Sequence, residues 1–295
     1  MLPGRGVSVD AHLHLWDRAR FRYPWMDATA LPDRFDLEEL SALPPRRVVV
    51  VEADCLPDQS LDEVRWIDGL AARAPSIAGI VARAAIEDGD AVEGELDVLA
   101  GIPRVVGVRR VLQAETTEWL ERPGLVRGLR AVARAGLVFD ACVRWDQLPA
   151  LIRLRHGVPE PVIVIDHLGK PPIRDGLSSS AAAAWRAAIR ELAEEPRTVV
   201  KVSGLPAEAA SGPLERQVDP YIRFALEVFG PSRAMAGSDW PVSRTESAHD
   251  YARWFAHLAT AFGLTESERD DLLWRTAERT YSLDDRAPAG EGGIA

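Results

Sequence analysis

Cysteine is almost absent from this chain of 295 residues. Only Cys55 and Cys142 occur, both in apolar surroundings and without a close partner in the sequence. A disulfide framework needs a larger, even set of paired cysteines, and such bonds persist only in oxidising compartments. The scarcity excludes a small disulfide-stabilised scaffold and favours a reducing compartment, which we expect to be the cytoplasm.

Long hydrophobic runs and an excess of positive charge are also missing. No stretch approaches the ~18 apolar residues that a membrane span needs, and the N-terminus lacks the apolar core of a secretion signal. Lys and Arg number 35 against 45 Asp and Glu, a formal net charge of -10. Since affinity for nucleic acids depends on clustered Lys and Arg, we expect neither a nucleic-acid nor a membrane partner.

The sequence alternates regularly between two kinds of segment. Eight short apolar, β-branched runs predict strands at residues 7–14, 47–52, 77–83, 105–109, 137–144, 162–167, 198–203 and 234–239. Between them, segments rich in Ala, Leu, Arg and Glu predict helices at residues 61–73, 121–135, 179–195, 220–229 and 247–262. Because parallel strands need a crossover of a dozen or more residues, this alternation predicts a parallel sheet.

Eight such units fit an α/β fold, the (β/α)8 TIM barrel, whose usual size is roughly 250 residues plus insertions. An open doubly wound sheet is the alternative. The barrel is favoured because each run ends in polar or charged residues on its C-terminal side, where barrel enzymes place their chemistry, and because no glycine-rich phosphate loop follows the first run. We expect one domain over residues 1–285 and a flexible tail over residues 286–295.

A long insertion follows the first run, between Trp16 and Pro45. It is too long for a simple turn and, around Trp25, too aromatic for a plain linker. We predict that it folds as a loop over the mouth of the barrel.

His12 and His14 are the most informative residues of the chain. Their spacing places both imidazoles on one face of the first strand, with Val9, Ala11 and Leu13 on the other face. Two nitrogen donors aimed at one point are typical of a metal site or an acid–base pair, but a polar barrel interior could also hold two hydrogen-bonded histidines. The spacing alone leaves both interpretations open.

Charged residues end the second and fourth runs. By alternation of strand faces, Glu52 shares a face with Val48 and Val50, where an unpaired carboxylate would be costly to bury. In the fourth run, alternation places Arg109 on the inward face with Val105 and Gly107, and Arg110 points the opposite way. Both Glu52 and Arg109 are therefore candidates for a site inside the barrel.

The fifth and seventh runs offer further charges. Asp140, Cys142 and Arg144 share a face, where Asp140 forms either a structural salt bridge with a neighbouring arginine or a substrate contact. Lys201 shares a face with Ser203, and a lysine inside a barrel needs a carboxylate from a neighbouring strand.

A third histidine ends the sixth run. Alternation places His167 on the face of Ile163 and Ile165, and together with the two earlier histidines it becomes a candidate third member of the site. Lys170 in the following loop is either a surface charge or an anion contact.

Asp239 ends the eighth run, on the face of Met235 and Gly237. It could cap the next helix. The alternative is a general base, since a carboxylate among imidazoles can deprotonate a water molecule within hydrogen-bond reach, as hydrolysis at a carbonyl carbon requires.

Seven short segments occur in a fixed order along residues 7–283: Asp10-Ala-His-Leu-His-Leu-Trp-Asp17, Val51-Glu-Ala-Asp54, Gly107-Val-Arg-Arg110, Phe139-Asp140 with Gln147-Leu-Pro-Ala-Leu151, Ile165-Asp-His-Leu-Gly-Lys-Pro171, Val200-Lys-Val-Ser-Gly-Leu205 and Gly237-Ser-Asp-Trp-Pro241. Together they resemble the amidohydrolase superfamily, and within it the amidohydrolase-2 branch of sugar-acid lactonases and 2-pyrone-4,6-dicarboxylate lactonase. The pair of histidines is widely shared, whereas the fifth and seventh segments are specific to the branch.

The resemblance implies hydrolysis of a lactone ring, with Asp239 activating water. The fourth run has no lysine and the fifth no histidine, which excludes the two-metal form of the superfamily. One divalent ion, zinc or manganese, would be held by His12, His14, Glu52 and Asp239, although some members of the branch hold none. Thr276 replaces the family's asparagine near the C-terminal helix, which affects helix capping rather than chemistry.

We therefore expect a lactone hydrolase in which a cation, or His167 with Arg109, stabilises the developing oxyanion. A sugar-acid lactone such as an aldonolactone is the expected substrate. A carboxylated lactone stays open because Arg83, Arg109 and Arg144 could reach the pocket. The other candidate substrate-binding residues are Trp25, Lys170, Lys201 and Trp240, and the tryptophans could stack on a sugar ring or belong to the core.

Two other classes of function stay open at this point. The first is a metal-dependent decarboxylase of an unsaturated carboxylic acid on the same barrel, although such relatives usually bring a histidine from the fifth strand. The second is a binding barrel without catalysis, which would predict broken ligand geometry. A homo-oligomer is compatible with the sequence.

Overall fold

Eight parallel strands form a single sheet in this computed structural model, which describes residues 8–44, 46–243 and 248–284. In chain order they are β1 Val9–Leu13, β2 Arg47–Val51, β3 Ile77–Arg83, β4 Val105–Val111, β5 Val138–Cys142, β6 Ile163–Ile165, β7 Thr198–Val202 and β8 Ala234–Ala236. Each strand pairs with the next along the chain. Backbone bonds from Asp239 N to His12 O and from His14 N to Trp240 O, both 2.8 Å, join the two end strands. The predicted (β/α)8 barrel is confirmed.

Helices connect the strands and surround the barrel. The α-helices of the described ranges are α1 Leu37–Ala42, α2 Ser60–Ala71, α3 Glu93–Ala100, α4 Pro123–Arg134, α5 Leu148–Gly157, α6 Ser180–Glu194, α7 Leu205–Glu208, α8 Leu214–Phe229, α9 Ala248–Thr260, α10 Glu266–Asp270 and α11 Thr276–Tyr281. Their apolar faces pack with the outer faces of the strands in one large core. Within the described ranges, no helix has both the length and the apolar character needed to cross a membrane.

The polar ends of several predicted strands lie beyond the strands themselves. β6 ends at Ile165 and β8 at Ala236, before the predicted limits at His167 and Asp239. Both of these residues have a left-handed backbone, with φ of 55° and 56°, which a strand does not continue. The polar side chains therefore belong to tight turns at the mouth rather than to the sheet.

A second apolar cluster takes residues from all eight strands and fills the interior of the barrel. Its strand members are Val9, Ala11, Val49, Val51, Val81, Val106, Val138, Val164, Val199 and Met235. Tyr281 of α11 belongs to the same cluster. Polar side chains form a separate layer beside it, described below.

The predicted faces of four strands are wrong. Val9 and Ala11 lie inside the barrel, because the register of β1 is irregular between Asp10 and Leu13. In β2, Val48 and Val50 pack with the helices, and in β6 Ile163 and Ile165 do so. In β4, Val105 also packs with the helices although Arg109 lines the cavity, because the register shifts opposite Val105 and Gly107. Strict alternation fails because these strands contain a bulge or end one or two residues before the polar side chain.

The insertion after β1 has structure of its own. Trp16–Asp17 pairs antiparallel with Arg34–Phe35, and a short 3-10 helix, Pro24–Ala28, lies between them. Trp25 in this helix donates its indole hydrogen to Ala53 O at 2.7 Å, which docks the insertion on the end of β2. That the insertion folds as a loop over the barrel mouth stays a prediction. The predicted tail, residues 286–295, lies outside the described residues.

Candidate active site

Three imidazoles converge on one carboxylate oxygen at the mouth of the barrel. Asp239 Oδ1 lies 3.3 Å from His14 Nε2, 3.4 Å from His12 Nε2 and 3.7 Å from His167 Nε2. The Nε2 atoms of His12 and His14 are 3.1 Å apart. All four residues are at most 5% exposed. The structure thus brings together the two histidines of β1, the histidine after β6 and the aspartate after β8.

The second ring nitrogens of His14 and His167 are held by neighbouring strands. His14 Nδ1 lies 2.9 Å from Val51 O at the end of β2. His167 Nδ1 lies 2.9 Å from Ser203 Oγ, just beyond β7. Such contacts fix the orientation of each ring and direct Nε2 into the cavity.

His12 is oriented by a buried network of charges. Its Nδ1 lies 3.3 Å from Asp166 Oδ1 and 3.3 Å from Lys201 Nζ. The ammonium of Lys201 is itself paired with Asp140 and Asp166, and all three residues are 0% exposed. Burial alone would lower the pKa of Lys201, but the two carboxylates outweigh it and raise the pKa, so the lysine stays charged.

Asp239 presents only one of its carboxylate oxygens to the imidazoles. Its Oδ2 accepts a hydrogen bond from the Ser243 hydroxyl, and its main-chain oxygen accepts from Val242 N and Ser243 N. Burial by itself raises the pKa of Asp239, but His167, His14 and His12 outweigh burial and hold this pKa below its ordinary range. Asp239 therefore anchors the turn after β8 and still offers an ionised oxygen to the cavity.

These donor atoms fit a divalent cation. His14 Nδ1 faces a carbonyl oxygen, which favours the tautomer with its proton on Nδ1 and a lone pair on Nε2. His12 Nδ1 lies 3.3 Å from both Asp166 Oδ1 and Lys201 Nζ, and its contact with the carboxylate is compatible with the same tautomer. Burial lowers the pKa of His12 well below its ordinary range and that of His167 to about 4, which leaves neutral rings. Two lone pairs and a carboxylate within 3.4 Å of one another repel unless a positive charge lies between them.

Glu52 does not join this group, contrary to its prediction as a metal ligand. Potential ligand atoms of His12, His14 and Asp239 lie within 4.8 Å of one another, and those of Glu52 are not among them. Glu52 instead accepts from Arg109 Nε at 2.6 Å and from Asp54 N at 2.6 Å. β2 ends at Val51, and the side chain that follows it pairs with Arg109 of β4.

Arg109 reaches the site with most of its charge already paired. Besides the bond to the Glu52 carboxylate, its Nη2 donates to Glu52 O at 2.7 Å, and its Nη1 lies 3.6 Å from Asp166 Oδ2. Burial would lower the pKa of Arg109, but Glu52, Cys142 and Asp166 raise it, so the guanidinium remains charged. A fixed positive charge is thus available at the wall of the cavity.

A cavity of about 160 Å³ opens above the convergence point. Its lining includes the predicted residues His14, Trp25, Arg109, His167, Lys170 and Asp239. The remaining lining residues are Ala53, Asp54, Val111, Gln113, Cys142 and Val242. A groove of about 430 Å³ adjoins this cavity and shares Gln113 and Lys170 with it.

Four predicted substrate-binding residues do not line the cavity within the described part of the chain. Lys201 and Trp240 are at most 1% exposed, because Lys201 is paired beneath the site and Trp240 packs on Phe35. Arg144 lies in the adjoining groove, bound to Asp146 at 3.0 Å. Arg83, at the end of β3, is half-buried outside the cavity lining.

Sequence reasoning missed Asp54, Asp166 and Ser203. Alternation from Ile165 predicts that Asp166 lies on the outer face of β6, and its position beside His167 does not change that prediction. Asp54 belongs to the same short segment as Glu52, and Ser203 was noted only for sharing a face with Lys201. None of the three has a sequence pattern that separates it from an ordinary surface or strand residue.

Comparison with known proteins gives consistent results. The family model Amidohydro_2, described as amidohydrolase, matches residues 9–283. L-fucono-1,5-lactonase of Burkholderia ambifaria is 36% identical over 256 residues, which cover 84% of this chain and 85% of that protein. The same-named protein of Burkholderia multivorans is 30% identical over 300 residues, covering 96% and 98%. An amidohydrolase crystal structure from Burkholderia multivorans with bound zinc has a TM-score of 0.81 at 28% identity, covering 94% of this chain and 99% of that one.

Proposed function

Because this chain belongs to the Amidohydro_2 family of amidohydrolases, we propose that it is a lactonase that opens the ring ester of a sugar-acid lactone. The observation that carries the proposal is the convergence of three imidazoles on Asp239 Oδ1 at the floor of an open cavity. The two Burkholderia relatives named L-fucono-1,5-lactonase support the substrate class. An intact set of converging groups argues against a barrel that only binds.

In the proposed reaction, a water molecule attacks the carbonyl carbon of the ring ester while Asp239 Oδ1 accepts its proton. The bond between that carbon and the ring oxygen then breaks. The ring oxygen leaves as a hydroxyl group by taking the proton held on Asp239. One lactone and one water thus give one hydroxy acid, and Asp239 returns to its ionised form.

Arg109 and His167 are the proposed stabilisers of the charge that develops on the carbonyl oxygen. Both line the cavity, and both are held from behind, Arg109 by Glu52 and His167 by Ser203. Groups fixed before the reaction lower the barrier because they need no reorganisation as the charge forms.

His12, His14 and Asp239 are the proposed ligands of one divalent cation, for which we propose zinc. Two imidazole nitrogens and a carboxylate suit zinc, and manganese would tolerate the oxygen ligand. The similar Burkholderia multivorans structure contains zinc. When bound, such a cation supplies Lewis acidity that polarises the carbonyl group.

The charges of the cavity favour a neutral sugar lactone over a carboxylated one. Arg83 and Arg144 lie outside the lining, and Arg109 is paired with Glu52. Lys170 lies 3.9 Å from Glu208, and the cavity also contains the carboxylates of Asp54 and Asp239. A substrate carboxylate would therefore find no surplus positive charge among the described residues.

A panel of lactones tests the proposal through acid release, measured with a pH indicator. We expect turnover of neutral aldonolactones such as L-fucono-1,5-lactone, and a loss of ~10²–10⁴-fold in kcat for Asp239→Asn. Metal analysis, with activity before and after chelation, tests the cation. Release of acid at the spontaneous rate with every lactone would refute the function.

A decarboxylase is less supported. β5 carries Asp140 and Cys142 but no histidine, and Asp140 is engaged with Lys201. Evolution of carbon dioxide from an unsaturated carboxylic acid, without lactonase activity, would reverse this preference.

We place the protein in the cytoplasm, because Cys55 and Cys142 are both free and buried. A homo-oligomer stays a prediction.

A further inference from the structure

Asp54 lines the cavity but has no part in the proposed chemistry. It follows β2 by three residues and has a left-handed backbone, with φ of 56°. Six described residues other than glycine have positive φ, and four of them line this cavity: Asp54, His167, Lys170 and Asp239. Such strained conformations persist where the surrounding structure enforces them, and they concentrate at functional sites. Asp54 thus shares its unusual geometry with the residues that make up the site.

The backbone of Asp54 is held on both sides. Its own N–H donates to Glu52 Oε2 at 2.6 Å, and the preceding carbonyl, Ala53 O, accepts from the indole of Trp25 at 2.7 Å. Glu52 in turn is fixed by Arg109. The ion pair between Glu52 and Arg109 therefore also positions the Asp54 side chain at the cavity wall.

The carboxylate of Asp54 is available to a ligand. The Asp54 carboxylate makes no hydrogen bond or ion pair with another side chain of residues 8–44, 46–243 and 248–284. The carboxylates of Glu52, Asp140 and Asp239 do make such contacts. It is half-buried beside Trp25, so an acceptor and an aromatic ring line the same part of the cavity. An acceptor that cannot donate matches hydroxyl groups, and an aromatic ring matches the apolar face of a sugar.

We propose that Asp54 determines substrate specificity, by accepting hydrogen bonds from the hydroxyl groups of the lactone ring and by repelling lactones that carry a carboxylate. This inference rests on the proposed lactonase function and deepens it. Two oxygens on one carboxylate can engage hydroxyl groups on neighbouring ring carbons. The same negative charge raises the energy of a carboxylated substrate placed beside it.

Asp54→Asn tests the proposal because it keeps the shape of the side chain, removes the charge and tolerates a left-handed backbone. For L-fucono-1,5-lactone we expect a ~10- to 100-fold loss in kcat/KM, the equivalent of one or two hydrogen bonds to a charged group. For δ-valerolactone, which has no hydroxyl groups, kcat/KM should change less than about 2-fold. For 2-pyrone-4,6-dicarboxylate it should rise.

Two further variants separate recognition from structure. Asp54→Gly removes the carboxylate and relieves the left-handed strain, and it should show the same loss on the hydroxylated lactone alone. Asp58→Asn changes an exposed aspartate of the same segment and should leave all three substrates unaffected. Equal losses of Asp54→Asn on every lactone would overturn the proposal, because they would assign Asp54 to holding the loop.

A binding measurement keeps the test independent of turnover. L-fucose carries ring hydroxyl groups and no ester. Isothermal titration calorimetry should show that it binds Asp54→Asn with an affinity at least ~10-fold lower than that for the unmodified protein. Equal affinity for the two proteins, or no binding to either, would overturn the proposal. If no lactone is hydrolysed but sugar binding still depends on Asp54, the lactonase function fails and the recognition of hydroxyl groups stands.

Discussion

At the scale of single residues, the position of His167 depends on the absence of a side chain next to it. Gly204 follows Ser203, has φ of +69° and packs directly against the imidazole. A Cβ atom at this position would lie under 3.0 Å from three atoms of the His167 ring. The ring can therefore contact Ser203 Oγ only because residue 204 is glycine.

Gly204→Ala is expected to displace His167 and lower kcat of lactone hydrolysis by ~10²-fold, the cost of misplacing a catalytic group by about 1 Å. The matched control is Gly136→Ala, because Gly136 also has positive φ, +67°, but nothing lies within 4 Å of its added Cβ. The control should lose about 1 kcal/mol of stability and no activity. Steady-state kinetics and urea unfolding of both variants measure the difference. Equal kcat values in the two variants would show that His167 tolerates displacement.

Some of the site could be predicted from single residues and some could not. The spacing of His12 and His14 predicts them as site residues, and His167 and Asp239 are predicted because each follows an apolar run. Asp166 could not be placed, because alternation from Ile165 assigned it to the outer face. The left-handed backbone at His167 lets two consecutive side chains, Asp166 and His167, both enter the interior. A positive φ cannot be predicted from the sequence at a residue other than glycine.

At the scale of secondary structure, a buried carboxylate ties the first strand to the last. Asp10 Oδ1 accepts from Ser238 N at 2.9 Å and from His12 N at 3.1 Å, and its Oδ2 accepts from Ser238 Oγ at 2.6 Å. Asp10 is 0% exposed. These bonds hold β1 and the turn after β8 together at the point where their polar residues meet.

Asp10→Ala is expected to lower the free energy of unfolding by about 3 kcal/mol or more, since it removes three hydrogen bonds and leaves buried N–H groups without an acceptor. The comparison variant is Ser238→Ala. It removes the bonds that the Ser238 hydroxyl makes with Asp10 Oδ2, His12 O and Trp240 N but keeps both backbone bonds to Asp10 Oδ1, and it should cost about 1–2 kcal/mol. Urea unfolding followed by circular dichroism gives both values. A loss at Asp10 no greater than that at Ser238 would mean that backbone bonds alone join these strands.

The strands were predictable because each is a short apolar run between polar segments. β3 occupies the predicted residues 77–83, and the valines of β2 lie in the sheet as expected. The faces were less predictable, because the irregular register of β1 and the early end of β2 shift side chains without changing composition. Glu52 illustrates the result: alternation places it at the inner face with Val48 and Val50, whereas in the structure those valines pack with the helices and the Glu52 carboxylate pairs with Arg109.

At the scale of the whole molecule, one buried carboxyl couples stability to pH. Glu63 of α2 is 0% exposed, close to Tyr23 of the insertion. Burial and the charge of Glu52 raise the pKa of Glu63 to about 8, and the nearby Tyr23 hydroxyl and Ala53 N–H only partly oppose them. In the unfolded chain the group ionises near its ordinary value of 4.5. The folded protein therefore keeps a proton that the unfolded chain has lost between these two values.

The free energy of unfolding is expected to fall as pH rises from about 4.5 to 8, because the contribution of protonated Glu63 is fully present below that window and lost above it. Glu63→Gln, which cannot ionise, should remove this part of the pH dependence. At pH 9 the variant should be more stable than the unmodified protein by about 3–5 kcal/mol. Asp62→Asn, at an exposed position of the same helix, provides the control. Parallel pH profiles for Glu63→Gln and the unmodified protein would rule out this source of the dependence.

The contact between the first strand, β1, and the last, β8, affects when the active site can form during synthesis of the protein. His12 and His14 leave the ribosome early, whereas Asp239, their partner, follows only after more than two hundred further residues. A nascent chain halted before β8 contains both imidazoles but no carboxylate to complete them, and its first strand has an open edge. The active site is therefore completed late in translation, when β8 closes the barrel. Separately expressed halves should be inactive until they are combined.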